Sequence, residues 1–272
     1  MFVKISTGEN LEMPSDSTGK TIGVALLVTI VSSILVSMAV VILRPMQEKN
    51  IELDKKRNVL LAIGKDVETK NIESEFSKIT AVVVDLTKGT PSDYIAPEKY
   101  NLKNILKSPE TSIVLSKEDD IAGIHVIPRY QLAYLVFKEG KLENIIIPVY
   151  GKGLWSTIYG FLALENDFNT VKGLTFYEHG ETPGLGGEIE NPQWKAIWPG
   201  KKIYGDENEI KIEVIKGSVD SRTVDREYKV DGISGATLTS RGVSQLIRFW
   251  ASDNGFGKYF KNLKGESLSR AK

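Results

Sequence analysis

The run Asp231-Gly-Ile-Ser-Gly-Ala-Thr-Leu-Thr-Ser240 leads a glycine-punctuated turn into a cluster of hydroxyls. Gly232 and Gly235 let the backbone take turn geometry and come close to a ligand. A helix follows within a few residues, so its unpaired N–H groups and positive dipole end fall near Thr237. A phosphate is stabilised at such a place by geometry alone. The Thr237 hydroxyl is an oxygen through which a phosphate could be bonded covalently, and Ser234, Thr239 and Ser240 add donors. The plain alternative is that Thr239 or Ser240 only caps the helix and the glycines only turn the chain. The spacing is not that of a nucleotide P-loop, and the lysine of one is absent.

Two further segments carry potential chemistry. Glu178-His-Gly-Glu-Thr-Pro-Gly-Leu-Gly-Gly-Glu188 follows a strand end. Its glycines can bring backbone groups against a planar ligand while Leu185 offers an apolar face, or they can simply make a glycine-rich loop. His179 alone reads as a hydrogen-bonded loop residue. In Gly151-Lys-Gly-Leu-Trp155, Trp155 can stack on an aromatic ligand or fill the core, and the residue by itself favours core.

Composition removes several function classes. The 272 residues carry 35 basic and 35 acidic side chains, so there is no electrostatic case for nucleic acid. The chain has no cysteine, which rules out disulfides, thiolate catalysis, Cys-ligated zinc and a Cys-bound iron–sulfur cluster within it. With two histidines, His125 and His179, no His-rich metal site is expected either.

These segments must be positioned by a chain that starts with an apolar run. Thr21–Leu43 bears no charge and is apolar on every face. As a helix it would be roughly 34 Å long, enough for a ~30 Å hydrocarbon core. It is too long for the apolar region of a cleaved signal peptide, and no small-residue cleavage site precedes Arg44. An uncleaved transmembrane helix over 21–43 is therefore expected, after an N-terminal tail over 1–20. Lys4 and Lys20 precede it; Arg44, Lys49, Lys55, Lys56 and Arg57 follow. The cation count favours a cytoplasmic C-terminal side, but large domains translocate despite flanking charge, so sidedness stays open.

Beyond the span, 44–129 reads as a membrane-proximal region. It holds a helix over 46–63 stopped at Gly64, a short helix over 71–79, a β-branched strand over 80–86 and a polar excursion over 87–121. Two hairpins follow, 133–137 with 142–150 and 157–164 with 171–177. Asn191-Pro192 starts a helix, with Asn as cap and Pro first. A strand is expected over 210–214. Val243, Leu246, Ile247 and Trp250 recur at helical spacing, predicting a helix over about 240–252. The fold class is α+β, an antiparallel sheet with flanking helices after a single N-terminal transmembrane helix.

In order and spacing, Gly151 to Trp155, Gly173 to Gly187, Glu190-Asn-Pro-Gln-Trp194 and Asp231 to Ser240 together resemble the C subunits of the sodium-translocating NADH:quinone reductases. More broadly they resemble the FMN-binding domain shared with the G subunit of Rnf complexes. The likeness is close over about 130–260, so an FMN-binding domain over 130–272 is expected. The resemblance implies that Thr237 carries covalent FMN through a phosphoester, installed by a separate flavin transferase from FAD. It implies a cofactor site of Ser234, Gly235, Ala236, Leu238 and Thr239 around Thr237, with Glu181, Thr182, Leu185, Gly186 and Trp155. His179 stands where some relatives have a polar amide. The resemblance also implies a protein of the bacterial inner membrane, with its domain on the periplasmic side, in a complex of six subunits and next to the B, D and E subunits. Such a protein relays electrons toward ubiquinone while sodium is exported. A G-type Rnf protein and a non-redox, membrane-anchored binding or scaffold domain are the alternatives.

Overall fold

The computed structural model describes residues 18–270, in two compact units that divide after Ile51. The tail expected over 1–20 lies, as far as residue 17, outside the described residues. The elements in chain order are helix α1 (Thr18–Ala62), α2 (Ile72–Phe76), strands β1 (Thr80–Asp85) and β2 (Thr90–Pro91), α3 (Leu102–Ile105), β3 (Ser112–Val114) and β4 (Val126–Pro128). There follow β5 (Tyr130–Lys138), β6 (Lys141–Lys152), β7 (Thr157–Glu165), β8 (Val171–Glu178), α4 (Pro192–Lys195), β9 (Glu213–Val214), β10 (Lys229–Val230), α5 (Thr237–Ala251) and α6 (Gly257–Arg270).

In the first unit, α1 exposes its apolar side chains along the predicted span, Leu27 at 63 % and Val41 at 71 % among them. Such a surface is costly in water and suited to hydrocarbon. The helix runs through Pro45, whose missing N–H leaves the Val41 carbonyl without its intrahelical partner. Across the proline, Arg44 and Glu48 pair at 2.9 Å.

The second unit is built on one antiparallel six-stranded sheet in the order β2-β1-β5-β6-β7-β8. Both expected hairpins are present, the first turning at Glu139-Gly140, both with positive φ. The central strands are buried on both faces, so they read as apolar runs without strict alternation. Ile145, Ile147 and Val149 of β6 face a core completed by Leu246, Ile247 and Trp250 of α5 and by Phe256 and Phe260. Ile146 points the other way, with Phe161 and Ala163, toward Val59, Leu60 and Ala62 at the end of α1 and Ile72 of α2. Buried polar bonds fix both layers. Trp250 Nε1 donates to the Tyr150 carbonyl at 2.7 Å, and Thr175 Oγ1 to the Asn58 carbonyl at 3.1 Å.

Two expectations need correction, and one helix has no counterpart among them. The strand expected over 210–214 is reduced to Glu213–Val214, paired in parallel with Lys229–Val230, because Ile210 instead bridges Tyr204. The helix expected from Ser240 begins at Thr237; its first residues are exposed, so the apolar spacing could not reveal them. The C-terminal helix α6 went unread. The cap at Asn191 is as expected: its side chain accepts from the Gln193 amide, over a helix of one turn.

Where α1 ends, the sheet needs a residue without a side chain. A Cβ on Gly173 of β8 would lie 2.3 Å from the Ala62 carbonyl oxygen. Gly173→Ala should therefore cost about 1–3 kcal/mol of stability. Thermal unfolding of the detergent-solubilised protein followed by circular dichroism checks this, and an unchanged Tm would show that helix and sheet can part at no cost.

Candidate functional site

Three segments distant in sequence meet at the N-terminus of α5. The first is the loop between β6 and β7, 153–156. The second is the glycine loop after β8, 180–187. The third is the turn 231–236 that feeds α5. Each is held by bonds that explain its residue types.

The turn is fixed from beneath. Trp194 Nε1 donates to the Asp231 carbonyl at 2.8 Å, and the Ile233 amide donates to Ser240 Oγ at 3.1 Å. Gly235 sits at φ +73°, a conformation that disfavours any side chain. The N-cap of α5 is Ala236, which has no side-chain oxygen, and the first helical turn contains no acidic residue. The amides of Thr237, Leu238 and Thr239 therefore have no partner within the helix. The reading in which Thr239 or Ser240 is the N-cap is thus overturned. Thr237 is the first helical residue and is exposed with Ser234, Gly235 and Leu238, whereas Ala236, Thr239 and Ser240 are buried.

Beneath that first turn lies the Glu181 carboxylate, only 5 % exposed. Its Oε2 accepts from Thr239 Oγ1 at 2.5 Å and its Oε1 from the Trp155 amide at 3.0 Å, with the Ser156 amide at 3.5 Å. Burial acts to raise its pKa, but the Thr239 hydroxyl and the amides of Trp155, Leu154 and Ser156 together hold it below the ordinary glutamate value. Two glycines make room for it. A Cβ on Gly153 would lie 2.5 Å from Oε1, and one on Gly186 would lie 2.7 Å from Oε2.

The glycine loop closes on itself and on the turn. The Thr182 carbonyl accepts from the amides of Leu185 at 3.1 Å and Gly187 at 2.9 Å. The Gly180 amide donates to Ser156 Oγ at 2.6 Å, and the Leu185 side chain reaches Gly235, where a Cβ would be 2.9 Å from its Cδ2. His179 Nδ1 accepts from the Glu181 amide at 3.1 Å, in keeping with a loop role. Its Nε2 is 3.0 Å from Glu190 Oε1, near enough for an ion pair when protonated but not aligned as a hydrogen bond.

Trp155 does not fill the core. It is 67 % exposed, because its amide is pinned to Glu181 while its ring points to solvent. Leu154, Leu185 and Leu238 are exposed as well. Beside them runs a groove of about 290 Å³, lined in part by Lys152, Gly153, Leu154, Leu238, Arg241 and Gly242. The structure thus brings the segments that hold Trp155, Glu181 to Gly186 and Ser234 to Thr239 together at the start of α5. Lys152 and Arg241 were missed; the spacing of Arg241 four residues after Thr237 was the available signal.

An exposed hydroxyl over unpaired helix amides, with cations and apolar side chains nearby, suits a phosphate-bearing group with a flat apolar body. Residues 153–252 match the family of FMN-binding domains. The chain is 48 % identical over 257 residues to the C subunit of the Na(+)-translocating NADH-quinone reductase of Pseudomonas aeruginosa, covering 93 % of this chain and 98 % of that one. It is 41 % identical to the protein of the same name from Haemophilus ducreyi, over 92 % and 95 %. The crystal structure of Shewanella oneidensis NqrC superposes with a TM-score of 0.71 at 36 % identity, over 77 % of this chain and 96 % of that one.

The depressed pKa of Glu181 makes stability depend on pH with a definite sign. Its contribution is fully present above the unfolded value near 4.5 and is lost as pH falls through the lower folded value. Glu181→Gln should therefore flatten the acid limb of a Tm-against-pH curve measured from about pH 6 to about pH 3. An acid limb identical to wild type would show that Glu181 is not held ionised in the fold.

Proposed function

This chain belongs to the family of C subunits of the Na(+)-translocating NADH-quinone reductases, and from that premise we propose that it is the family's membrane-anchored electron carrier, bearing FMN as a phosphoester on Thr237. The observation that carries the reading is the exposed Thr237 hydroxyl at the first position of α5, in a turn whose helix terminus has no side-chain cap. The residues fit the group. Gly235 keeps the approach to Thr237 open, and the first-turn amides face where a phosphate would sit. Trp155, Leu185 and Leu238 supply apolar surface for a planar ring, with Ser234, Ala236, Thr182 and Gly186 shaping the surround.

When bound, the flavin supplies the capacity to take and give electrons one or two at a time. This chain's residues do the rest. Glu181, Thr239 and the 153–156 loop hold the first turn of α5 in place. The turn presents Thr237 outward, where a flavin transferase can reach it and redox partners can approach. The covalent ester keeps the carrier on an open surface without a binding equilibrium.

In this reading the apolar part of α1 is a single membrane span and the second unit lies on the periplasmic side of the bacterial inner membrane. The resemblance implies that an iron–sulfur centre in the membrane subunits, among the B, D and E partners, would supply electrons, and that a covalent FMN on the B partner would take them on toward ubiquinone. NADH oxidation, quinone reduction and the sodium path belong to other subunits, since a span without charges offers no ion path by itself. Family membership selects this reading over an Rnf-type protein.

Intact mass of the chain purified from a host that contains the transferase should exceed the polypeptide mass by roughly 440 Da, the FMN residue. The denatured band should fluoresce yellow-green under ultraviolet light, and Thr237→Ala should abolish both signals. An unmodified mass for the wild type would end the proposal.

A further inference from the structure

The Glu181 carboxylate is buried, and its hydrogen-bond partners are all neutral. Its partners are one hydroxyl and backbone amides, and among the described residues no Lys, Arg or His side chain pairs with it. Buried carboxylates are costly unless bonded or compensated. Compensation here comes from the amides of the 154–156 loop and from the Thr239 hydroxyl in the first turn of α5, a turn with no acid of its own. Glu181 supplies that acid from a loop 58 residues away in sequence. The site is built around the ionised group, since Gly153 abuts one carboxylate oxygen and Gly186 the other.

A clasp that only joined the 153–156 loop to α5 would need no charge. An amide of the same shape could accept from the Trp155 amide and bond Thr239 through its other end. A charge in this position has an electrical consequence as well. The positive end of α5 is shared by the carboxylate beneath the first turn and by whatever negative charge lies above it at Thr237. Coulomb repulsion in a partly desolvated setting is weakly screened.

We infer that Glu181 is a positioning residue that also sets the flavin's redox poise, its fixed negative charge beneath α5 disfavouring the reduced form. The inference rests on Thr237 as the attachment point. At neutral pH, two electrons delivered by the reductase's own donor chain, together with one proton from water, leave the ring one negative charge richer. Glu181 opposes that added charge and so holds the midpoint potential down.

Potentiometric titration of the full-length, flavin-loaded protein in detergent near neutral pH, read by flavin absorbance, tests this in wild type, Glu181→Gln and Glu181→Asp. Removing the charge should raise the reduced-to-oxidised ratio at a given potential about tenfold, a rise of roughly 30 mV for a two-electron couple. Glu181→Asp keeps the charge and shortens the reach, and should stay within about twofold of wild type. A Glu181→Gln midpoint within twofold of wild type overturns the inference, as does a tenfold shift in Glu181→Asp. Should Glu181→Gln fail to accumulate, Glu181→Met, which also removes the charge, is titrated against the criterion set for Glu181→Gln. Denaturing-gel fluorescence of the same samples separates the two levels. Fluorescent bands with an unmoved midpoint sink the role of Glu181 alone, whereas a non-fluorescent wild-type band sinks the Thr237 attachment and this inference with it.

Discussion

The close approach of α5 to β6 is the constraint on which the site depends. A Cβ on Gly242 would lie 2.5 Å from the Lys152 carbonyl oxygen, and one on Gly151 would lie 2.7 Å from the Leu246 Cβ. Each element thus has a glycine where the other presses closest, so helix and strand meet at a distance no other residue pair allows. Trp250 locks the far end of the helix by donating to the Tyr150 carbonyl. With both ends fixed, the first turn of α5 is delivered onto the loop that continues β6, and Thr237 is placed by the core of the domain although it lies on the surface.

Charge follows from the same placement. The end of a helix fixed against a sheet offers unpaired amides whether or not a ligand comes. Glu181 lies beneath that first turn, bonded to the Thr239 hydroxyl, while Lys152 and Arg241 line the groove beside it. One anion is sealed in the fold and two cations are left outside it. This division lets the buried charge stabilise the fold and leaves the two cations exposed beside the turn. Exposed cations contribute little to folding.

The sheet was legible because its hairpins are local and its strands are short apolar runs bounded by turn residues. The membrane-length helix was legible from length and composition alone. The turn at 231–240 was found because glycines and hydroxyls are rare in that density. What was missed has a physical reason in each case. The start of α5 at Thr237 carries no apolar periodicity, since its first two residues face solvent. The role of Glu181 depends on a contact across 58 residues, which no spacing rule reports. Trp155 read as core because large aromatics usually are; only the bond from its amide to Glu181 turns the ring outward.

That outward ring shows how the site combines rigidity with access. An exposed tryptophan is expensive if it only meets water, since it forgoes the burial that an indole offers. Here the main chain beneath it is tied down by Glu181 and the side chain is exposed. Leu185 shows the same arrangement, its amide bonded to the Thr182 carbonyl and its side chain laid against Gly235. Two apolar side chains on fixed main chain, on two separate loops beside an accessible hydroxyl, form a surface already organised before any group arrives. Little conformational entropy would then be lost on attachment. The site remains open to partners because rigidity is supplied from below by the buried carboxylate and not by a cover closing over it.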